Sequence, residues 1–300
     1  MKKQGMAIIL GVSALAISSV TGLTGAYEVN AKEKNTKAST VYEHLFEGAE
    51  LGEASKSETV GNYTFSYDGK HVKVSTKSGK ECKSVSVNED SAFTNGKTLY
   101  YTKGMKVYKL NLKTKKIKNV ATVKKTKKSN KSSADNICIN AITKNRIYLT
   151  RYSWASYKND LFSMNIKTNK VKEETKGEFA AINGKYAVVK KVFTTDTSAC
   201  KYDLVKLTNK GIKKVKKLCN NGMYCGEVDG KFYFMEYKDD ELKAGNLYRC
   251  DKNGKHKKLI ASISDKEGSD VVVVSVGKTE CTVSVGGVDK TFDYKTKSFK

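Results

Sequence analysis

Residues 95–102 read Asn-Gly-Lys-Thr-Leu-Tyr-Tyr-Thr, and residues 107–110 read Val-Tyr-Lys-Leu. A Gly-Lys turn leads into a short aromatic run, and a second turn leads into a Leu/Tyr run. Short runs rich in β-branched and aromatic residues, bounded by Gly and Asn, are typical of antiparallel hairpins. Related patterns recur further along the chain, at residues 144–150 with 161–164, at 183–189, and at 229–234 with 247–250.

The recurrence has a period of roughly 40–50 residues, and each repeat consists of strand-like segments, which is typical of a β-propeller with one four-stranded blade per repeat. The pattern predicts an all-β, six-bladed propeller of antiparallel blades, although five or seven blades also fit the spacing. The six units are approximately residues 61–88, 92–123, 137–172, 179–218, 223–263 and 270–300. The last unit ends as its fourth strand begins, so we expect residues 41–47 to complete that blade and close the ring.

Two short motifs resemble a known group of propellers. Leu-Tyr-Tyr-Thr at 99–102 and Ile-Tyr-Leu-Thr at 147–150 are similar to degenerate Tyr-Trp-Thr-Asp blade motifs, and residues 247–259 resemble the strand–turn–strand that follows such a motif. The chain thereby resembles low-density-lipoprotein-receptor-like propellers and TolB-like bacterial propellers. The resemblance covers most of residues 61–300 and implies the propeller fold. It also implies a binding role, because that group consists mainly of binding modules.

The N-terminal 31 residues have the layout of a secretory signal peptide. Lys2 and Lys3 precede an apolar run from Met6 to Val20, and small residues suitable for cleavage follow at 24–26 and 29–31. The run is shorter than the ~20 residues that a spanning helix needs. We therefore expect a signal peptide at 1–31, a polar linker at 32–40 and the propeller at 41–300. The mature protein is then secreted or cell-wall associated, with no membrane span.

The chain is strongly basic, with 56 Lys and Arg against 31 Asp and Glu and a formal net charge of +25. Such an excess favours an anionic partner, such as an acidic glycan, a wall polymer, nucleic acid or an envelope protein. Many lysines fall on the predicted fourth strand of each blade, where they can simply block edge-to-edge pairing. Both readings remain open. The rim lysines are Lys115, Lys116, Lys118, Lys213, Lys214, Lys216, Lys217, Lys257 and Lys258.

The seven cysteines lack metal-ligand spacing, and an odd number leaves at least one thiol unpaired. Most lie within apolar runs, which favours buried and unreactive thiols. Cys219 and Cys225 are predicted to end one blade and begin the next. That separation is too large for a disulfide, so we expect the two not to be paired.

One loop-bearing face is the candidate binding surface. Aromatic rings exposed in a polar loop suit stacking on sugars or bases, and a lysine cluster suits phosphate or sulfate groups. The alternatives are that Trp154 packs back onto the fold and that the lysines form a solvated loop. The candidate ligand-binding residues are Tyr152, Trp154, Tyr157, Lys124, Lys125, Lys127 and Lys128.

Common catalytic motifs are missing from the sequence. The three histidines, His44, His71 and His256, lie far apart, and there is no nucleophile-elbow, zinc-protease or phosphate-loop motif. No cofactor or metal is expected. The sequence therefore favours a secreted, non-enzymatic binding module for an anionic envelope or extracellular partner. The alternatives are a glycan-active hydrolase or lyase that uses scattered carboxylates and tyrosines, and an envelope assembly scaffold.

Overall fold

The computed structural model describes residues 42–46, 56–88, 91–125, 135–153, 159–191, 200–238, 242–265 and 267–300. These residues form antiparallel β-structure, and they include no helix long and apolar enough to cross a membrane. The predicted signal peptide and linker lie outside the described residues.

In chain order the strands are β1 (Glu43–His44), β2 (Lys56–Val60), β3 (Tyr63–Tyr67), β4 (His71–Thr76), β5 (Glu81–Ser86), β6 (Ala92–Thr94), β7 (Thr98–Lys103), β8 (Lys106–Asn111), β9 (Ile117–Thr122), β10 (Asn136–Ile142), β11 (Arg146–Tyr152), β12 (Asp160–Asn165), β13 (Val171–Lys176), β14 (Glu178–Asn183), β15 (Tyr186–Lys191), β16 (Cys200–Thr208), β17 (Gly211–Val228), β18 (Lys231–Tyr237), β19 (Ala244–Asp251), β20 (Lys258–Ser264), β21 (Val271–Val276), β22 (Glu280–Val285), β23 (Val288–Asp293) and β24 (Ser298–Phe299).

The strands form five antiparallel sheets. The first sheet is β2–β5, the second is β6–β9 with β1 added beside β6, and the third is β10–β13. The fourth sheet has seven strands, β14–β20, and the fifth is β21–β24. Repeated four-stranded antiparallel meanders confirm the predicted all-β class and are consistent with a β-propeller.

Strand β17 departs from the predicted division of the chain. Its first part pairs with β16 from Gly211, and its last part pairs with β18 up to Val228, so one 18-residue strand joins two predicted units into one sheet. Cys219 and Cys225 therefore lie on the same strand, not on two strands in different blades as predicted. Both are free thiols in the structure.

The N-terminal strand pairs at a different place from the one predicted. Glu43 and His44 of β1 pair with β6 in the second sheet, and the fifth sheet uses the chain's own Ser298–Phe299 as its fourth strand. The reason is local packing, because Leu45 and Phe46 are buried between the first and second sheets. The ring of His44 also stacks on Phe93, with the ring centroids 4.2 Å apart.

Apolar side chains join each sheet to its neighbours in chain order. Separate buried clusters lie between the first and second sheets, between the second and third, between the third and fourth, and between the fourth and fifth, with a further cluster inside the fourth. Burial of this apolar surface is the main force that holds the array together. It also fixes the relative positions of the strand ends that carry the polar side chains considered next.

The cysteines are free thiols, and Cys219, Cys225, Cys250 and Cys281 are buried. Burial raises the pKa of Cys219 to about 12 and that of Cys281 to about 11. A thiol with a raised pKa forms little of the reactive thiolate at neutral pH. These environments agree with the prediction of unreactive thiols.

Candidate functional site

Two buried aspartates lie on the third strands of neighbouring units, Asp160 as the first residue of β12 and Asp203 within β16. β12 begins Asp160-Leu161, and within β16 the same Asp-Leu pair occurs at Asp203-Leu204. Each aspartate residue is 1 % exposed, although aspartate is seldom buried unless it is paired. Each is held by two cations from the strands on either side. We call these two groups the paired-aspartate site: Asp160 with Arg151 and Lys176, and Asp203 with Lys191 and Lys214.

Arg151 is the central side chain of the Asp160 group. Its Nη2 donates to Oδ2 of Asp160, while Nζ of Lys176 lies 2.6 Å from Oδ1. The Arg151 guanidinium also lies over the ring of Phe162, at 5.1 Å from the ring centroid. The arginine is nine-tenths buried, whereas the Lys176 side chain is 65 % exposed. This group therefore combines an internal ion pair with an accessible cation.

The Asp203 group has the same plan. Nζ of Lys191 lies 2.9 Å from Oδ2 and Nζ of Lys214 lies 2.8 Å from Oδ1. Burial alone raises the pKa of Asp203, but hydrogen bonds and charge from Lys214 and Lys191 outweigh it, and the pKa lies below its ordinary value. Asp203 is therefore a carboxylate at neutral pH. Lys214, predicted only as a rim lysine, is one of its partners.

Residues adjacent in sequence to the two groups are in contact across the third and fourth sheets. The Gly177 amide donates to the Asn159 carbonyl at 2.8 Å, which ties the start of β12 to the end of β13. The Asn159 side chain donates to Glu178, the first residue of β14, and Lys190 lies 3.6 Å from the same carboxylate. The paired-aspartate site thus lies at one end of two adjoining sheets.

The Asp203 pairing predicts a specific pH dependence of stability. An unfolded aspartate titrates near its ordinary pKa of about 3.9, and the folded pKa is lower. The pairing therefore stabilises the fold above about pH 4, and this contribution is lost as the pH falls through the folded pKa. Urea unfolding of wild type and Asp203→Asn should show a stability difference that is largest near neutral pH and shrinks in acid. A difference that stays constant would contradict this assignment.

The structure brings together parts of the predicted ligand-binding surface. Nη1 of Arg151 donates to the carbonyl of Lys124 at 2.6 Å, so the segment after β9 meets the end of β11, where Tyr152 lies half-buried. Lys124 and Lys125 have exposed side chains. Trp154, Tyr157, Lys127 and Lys128 lie outside the described residues, so ligand binding by the whole set stays a prediction.

Sequence reasoning missed Arg151, Asp160 and Asp203. The available signal was the repeated Asp-Leu pair in an apolar strand, where an acidic residue stands directly before residues that must be buried. An acid at such a position requires a cation close by. Where the structure describes the chain, no group of three or more His, Cys, Asp or Glu side chains is arranged to hold a metal ion.

Comparison with known proteins finds a likeness of fold only. No family model and no curated protein matches the sequence. Among solved structures, the chain is similar to an oligogalacturonate lyase in complex with manganese, with 11 % identity, a TM-score of 0.43, and coverage of 81 % of this chain and 75 % of that one. The oligogalacturonate lyase of Vibrio parahaemolyticus has 10 % identity, a TM-score of 0.38, and coverage of 88 % and 79 %.

A putative 6-phosphogluconolactonase from Bacteroides fragilis also matches, with 10 % identity, a TM-score of 0.36, and coverage of 82 % and 81 %. These neighbours agree with the expected bacterial propeller type of fold. The low-density-lipoprotein-receptor-like repeat and the secretion of the protein stay predictions.

The main functional prediction is corrected by the same comparison. The sequence favoured a non-enzymatic binding module, but two of the similar structures are named as lyases, which are enzymes of the kind that the alternative describes. At identities near 10 % and TM-scores below 0.5, the likeness assigns no activity, substrate or mechanism to this chain.

Proposed function

We propose that this chain is an enzyme with a propeller-like array of β-sheets that cleaves an anionic, uronate-type glycan by elimination. The observation that carries the proposal is the paired-aspartate site, where solvent-accessible lysines are held in place by buried carboxylates. In the Asp160 group, Lys176 also lies 3.4 Å from Glu173, so its two cations are balanced by two carboxylates. In the Asp203 group, Lys191 and Lys214 face one aspartate, which leaves an excess of one positive charge. An anionic substrate is attracted to such a surface.

The proposed architecture has six four-stranded units. The first, second, third and fifth sheets each supply one unit, and the fourth supplies two because β17 pairs with β16 along one part and with β18 along the other. The paired-aspartate site then lies on two consecutive units, at the end where the second strand of each unit meets the third.

The lysines of the site are suited to holding a carboxylate. The side chains of Lys176 and Lys214 are 65 % and 56 % exposed, while the carboxylates that anchor them are 2 % and 1 % exposed. An anchored ammonium group loses less conformational freedom on binding than a free surface lysine does. The hydrogen bond that Lys176 donates to Asp160 raises the pKa of Lys176, so this lysine stays protonated and acts as a fixed positive charge.

Elimination fits this site better than hydrolysis by two carboxylates. Hydrolysis of that kind needs two carboxyl groups that reach the substrate, and the side chains of Asp160 and Asp203 are 2 % and 1 % exposed behind their cations. In elimination, a base from the solvent accepts the proton beside the uronate carboxylate, and the electron pair of that carbon–hydrogen bond forms a carbon–carbon double bond. The glycosidic carbon–oxygen bond breaks, and its oxygen leaves with the bonding electrons and takes a proton from water. A cation on the uronate carboxylate stabilises the negative charge that develops in this step.

The test is an assay on oligogalacturonate and related uronate oligomers, followed by the ultraviolet absorbance of the unsaturated product. Oligogalacturonate is the first substrate to assay, because two of the similar solved structures are named oligogalacturonate lyases. Lys176→Ala and Lys214→Ala should each lower kcat/KM by roughly 10–100-fold if they hold the reacting carboxylate. Lys278→Ala is the matched control, because Lys278 is also exposed and paired, but with Asp229, outside the paired-aspartate site.

Each alternative gives a different result. Cleavage without an unsaturated product would point to hydrolysis and overturn the elimination step. Failure of the wild-type protein to cleave any uronate oligomer would overturn the proposed function as a whole. Equal losses in Lys278→Ala and the two site variants would show that the effect comes from general surface charge.

A further inference from the structure

The two sheets at the ends of the array differ from the sheets between them. In the second, third and fourth sheets, buried apolar side chains project from both faces, as Leu99 and Tyr100 do on β7 and Ile147 and Tyr148 do on β11. Each of these sheets packs against a neighbour on either side. Within the part of the chain that the structure describes, the first and fifth sheets each contribute to a single buried cluster, so the apolar packing of these residues covers one face of each.

The uncovered face of the first sheet is polar. Cross-strand register places its members side by side: Ser57 opposite Ser66, Thr59 opposite Thr64, and Lys73 opposite both Ser66 and Ser84. Lys73 lies on the inner strand β4, and its side chain is 53 % exposed. A lysine in the middle of a sheet-to-sheet interface would have to be buried, at a large cost in free energy. This face of the first sheet is therefore suited to contact with solvent.

The fifth sheet shows the same division. Cys281, Val283 and Val285 of β22 are buried against the fourth sheet, while Thr282 and Ser284 project from the opposite face. Thr282 pairs with Ser275 and Thr291, and Ser284 pairs with Val272 and Asp289, so Val272 is the one apolar member in this set of paired positions. Among the described residues, no buried apolar cluster joins the fifth sheet to the first.

We propose that the sheets form an open array, with the first and fifth sheets as end caps, and that no sheet-to-sheet interface seals them into a ring. In linear repeat proteins the interior repeats bury both faces, and the terminal repeats carry a polar outer face that keeps the ends soluble. A closed propeller has no terminal blade, so each blade needs two apolar faces. The polar faces of the two end sheets fit the first arrangement. This inference is independent of the proposed enzymatic function.

Lysine substitution at neighbouring positions of one strand tests the proposal on the full-length protein. Thr64→Lys and Thr282→Lys place a charge on the outer faces, and Phe65→Lys and Val283→Lys are matched controls that place it on the packed faces of the same strands. Urea unfolding, followed separately by circular dichroism and by hydrogen exchange of each sheet, gives the readout.

An open array predicts unchanged unfolding midpoints for Thr64→Lys and Thr282→Lys and a clear fall, or loss of folding, for both controls. In a sealed ring, each outer-face variant would lower the midpoint in the same way as its control does. A fall of that size at either outer position overturns the proposal. Hydrogen exchange then shows whether the first and fifth sheets lose protection together, which is the pattern expected of two sheets that touch.

Discussion

Replacing Asp160 by alanine is expected to lower the free energy of unfolding by roughly 3–5 kcal/mol. The aspartate is 1 % exposed, and it receives a hydrogen bond from Arg151, which is itself nine-tenths buried. Loss of the carboxylate leaves a buried guanidinium without its counter-charge. The guanidinium cannot easily reach water, because it packs on Phe162 and is also hydrogen-bonded to the Lys124 carbonyl.

Asp203→Ala is the matched control for this prediction. Its two cations, Lys191 and Lys214, are 23 % and 56 % exposed, so both can turn into solvent once the carboxylate is removed. The loss of stability should therefore be clearly smaller than for Asp160→Ala. Denaturant unfolding of both variants at neutral pH and moderate salt measures the difference. Equal losses would show that burial of the arginine does not determine the cost.

Gly177→Ala should destabilise the protein by roughly 2–6 kcal/mol, from backbone strain and steric overlap together. Gly177 joins β13 to β14 with a φ of +119°, and a Cβ atom there would lie 2.3 Å from the Lys190 carbonyl oxygen. That oxygen belongs to the backbone of β15, so it cannot move aside as a flexible side chain would. Gly177 lies next to the paired-aspartate site, so the variant should also disturb the contacts of Glu178 and Asn159.

Gly184→Ala serves to distinguish the cost of backbone strain from the cost of steric overlap. Gly184 also has a positive φ, +57°, but no atom lies within 4 Å of the position that its Cβ would take. Its cost should be limited to the left-handed backbone, roughly 1–2 kcal/mol. Thermal and denaturant unfolding of the two variants provides the comparison. If Gly177→Ala lowered the free energy of unfolding no more than Gly184→Ala does, the steric overlap with β15 would contribute nothing, and the prediction would be wrong.

Local sequence patterns were sufficient to predict the strands. Turn residues and short aromatic runs, such as 95–102 and 229–234, correspond to β7 and to the hairpin that leads into β18. These signals are local, because a Gly-containing turn and the strand beside it depend on neighbouring residues. Strand pairing over longer distances was predicted less well. Residues 43–44 pair in the second sheet and not in the last, because the burial of Leu45 and Phe46 decides their position.

The candidate site was only partly accessible to sequence reasoning. Aromatic and lysine-rich loops drew attention to Tyr152 and Lys124, and the structure places both next to Arg151. The ion pairs themselves were not foreseen. Arg151 meets the carbonyl of a residue 27 positions earlier, and Asp203 is held by lysines from two different strands. Such pairs depend on register and on the packing between sheets, which a linear pattern of charges does not reveal.

The sequence by itself determined the all-β class, the positions of the turns and the side-chain pattern of each strand. Ile147-Tyr148-Leu149 of β11 in the third sheet is apolar over consecutive residues, whereas Cys281-Thr282-Val283-Ser284 of β22 in the fifth sheet alternates. A strand that is buried on both faces needs consecutive apolar residues, and a strand with one solvent-exposed face needs alternating apolar and polar residues. Only the tertiary structure decided which strands become neighbours, that β17 joins two units, and that Arg151 and Asp160 meet, because these outcomes depend on how separate sheets pack in space.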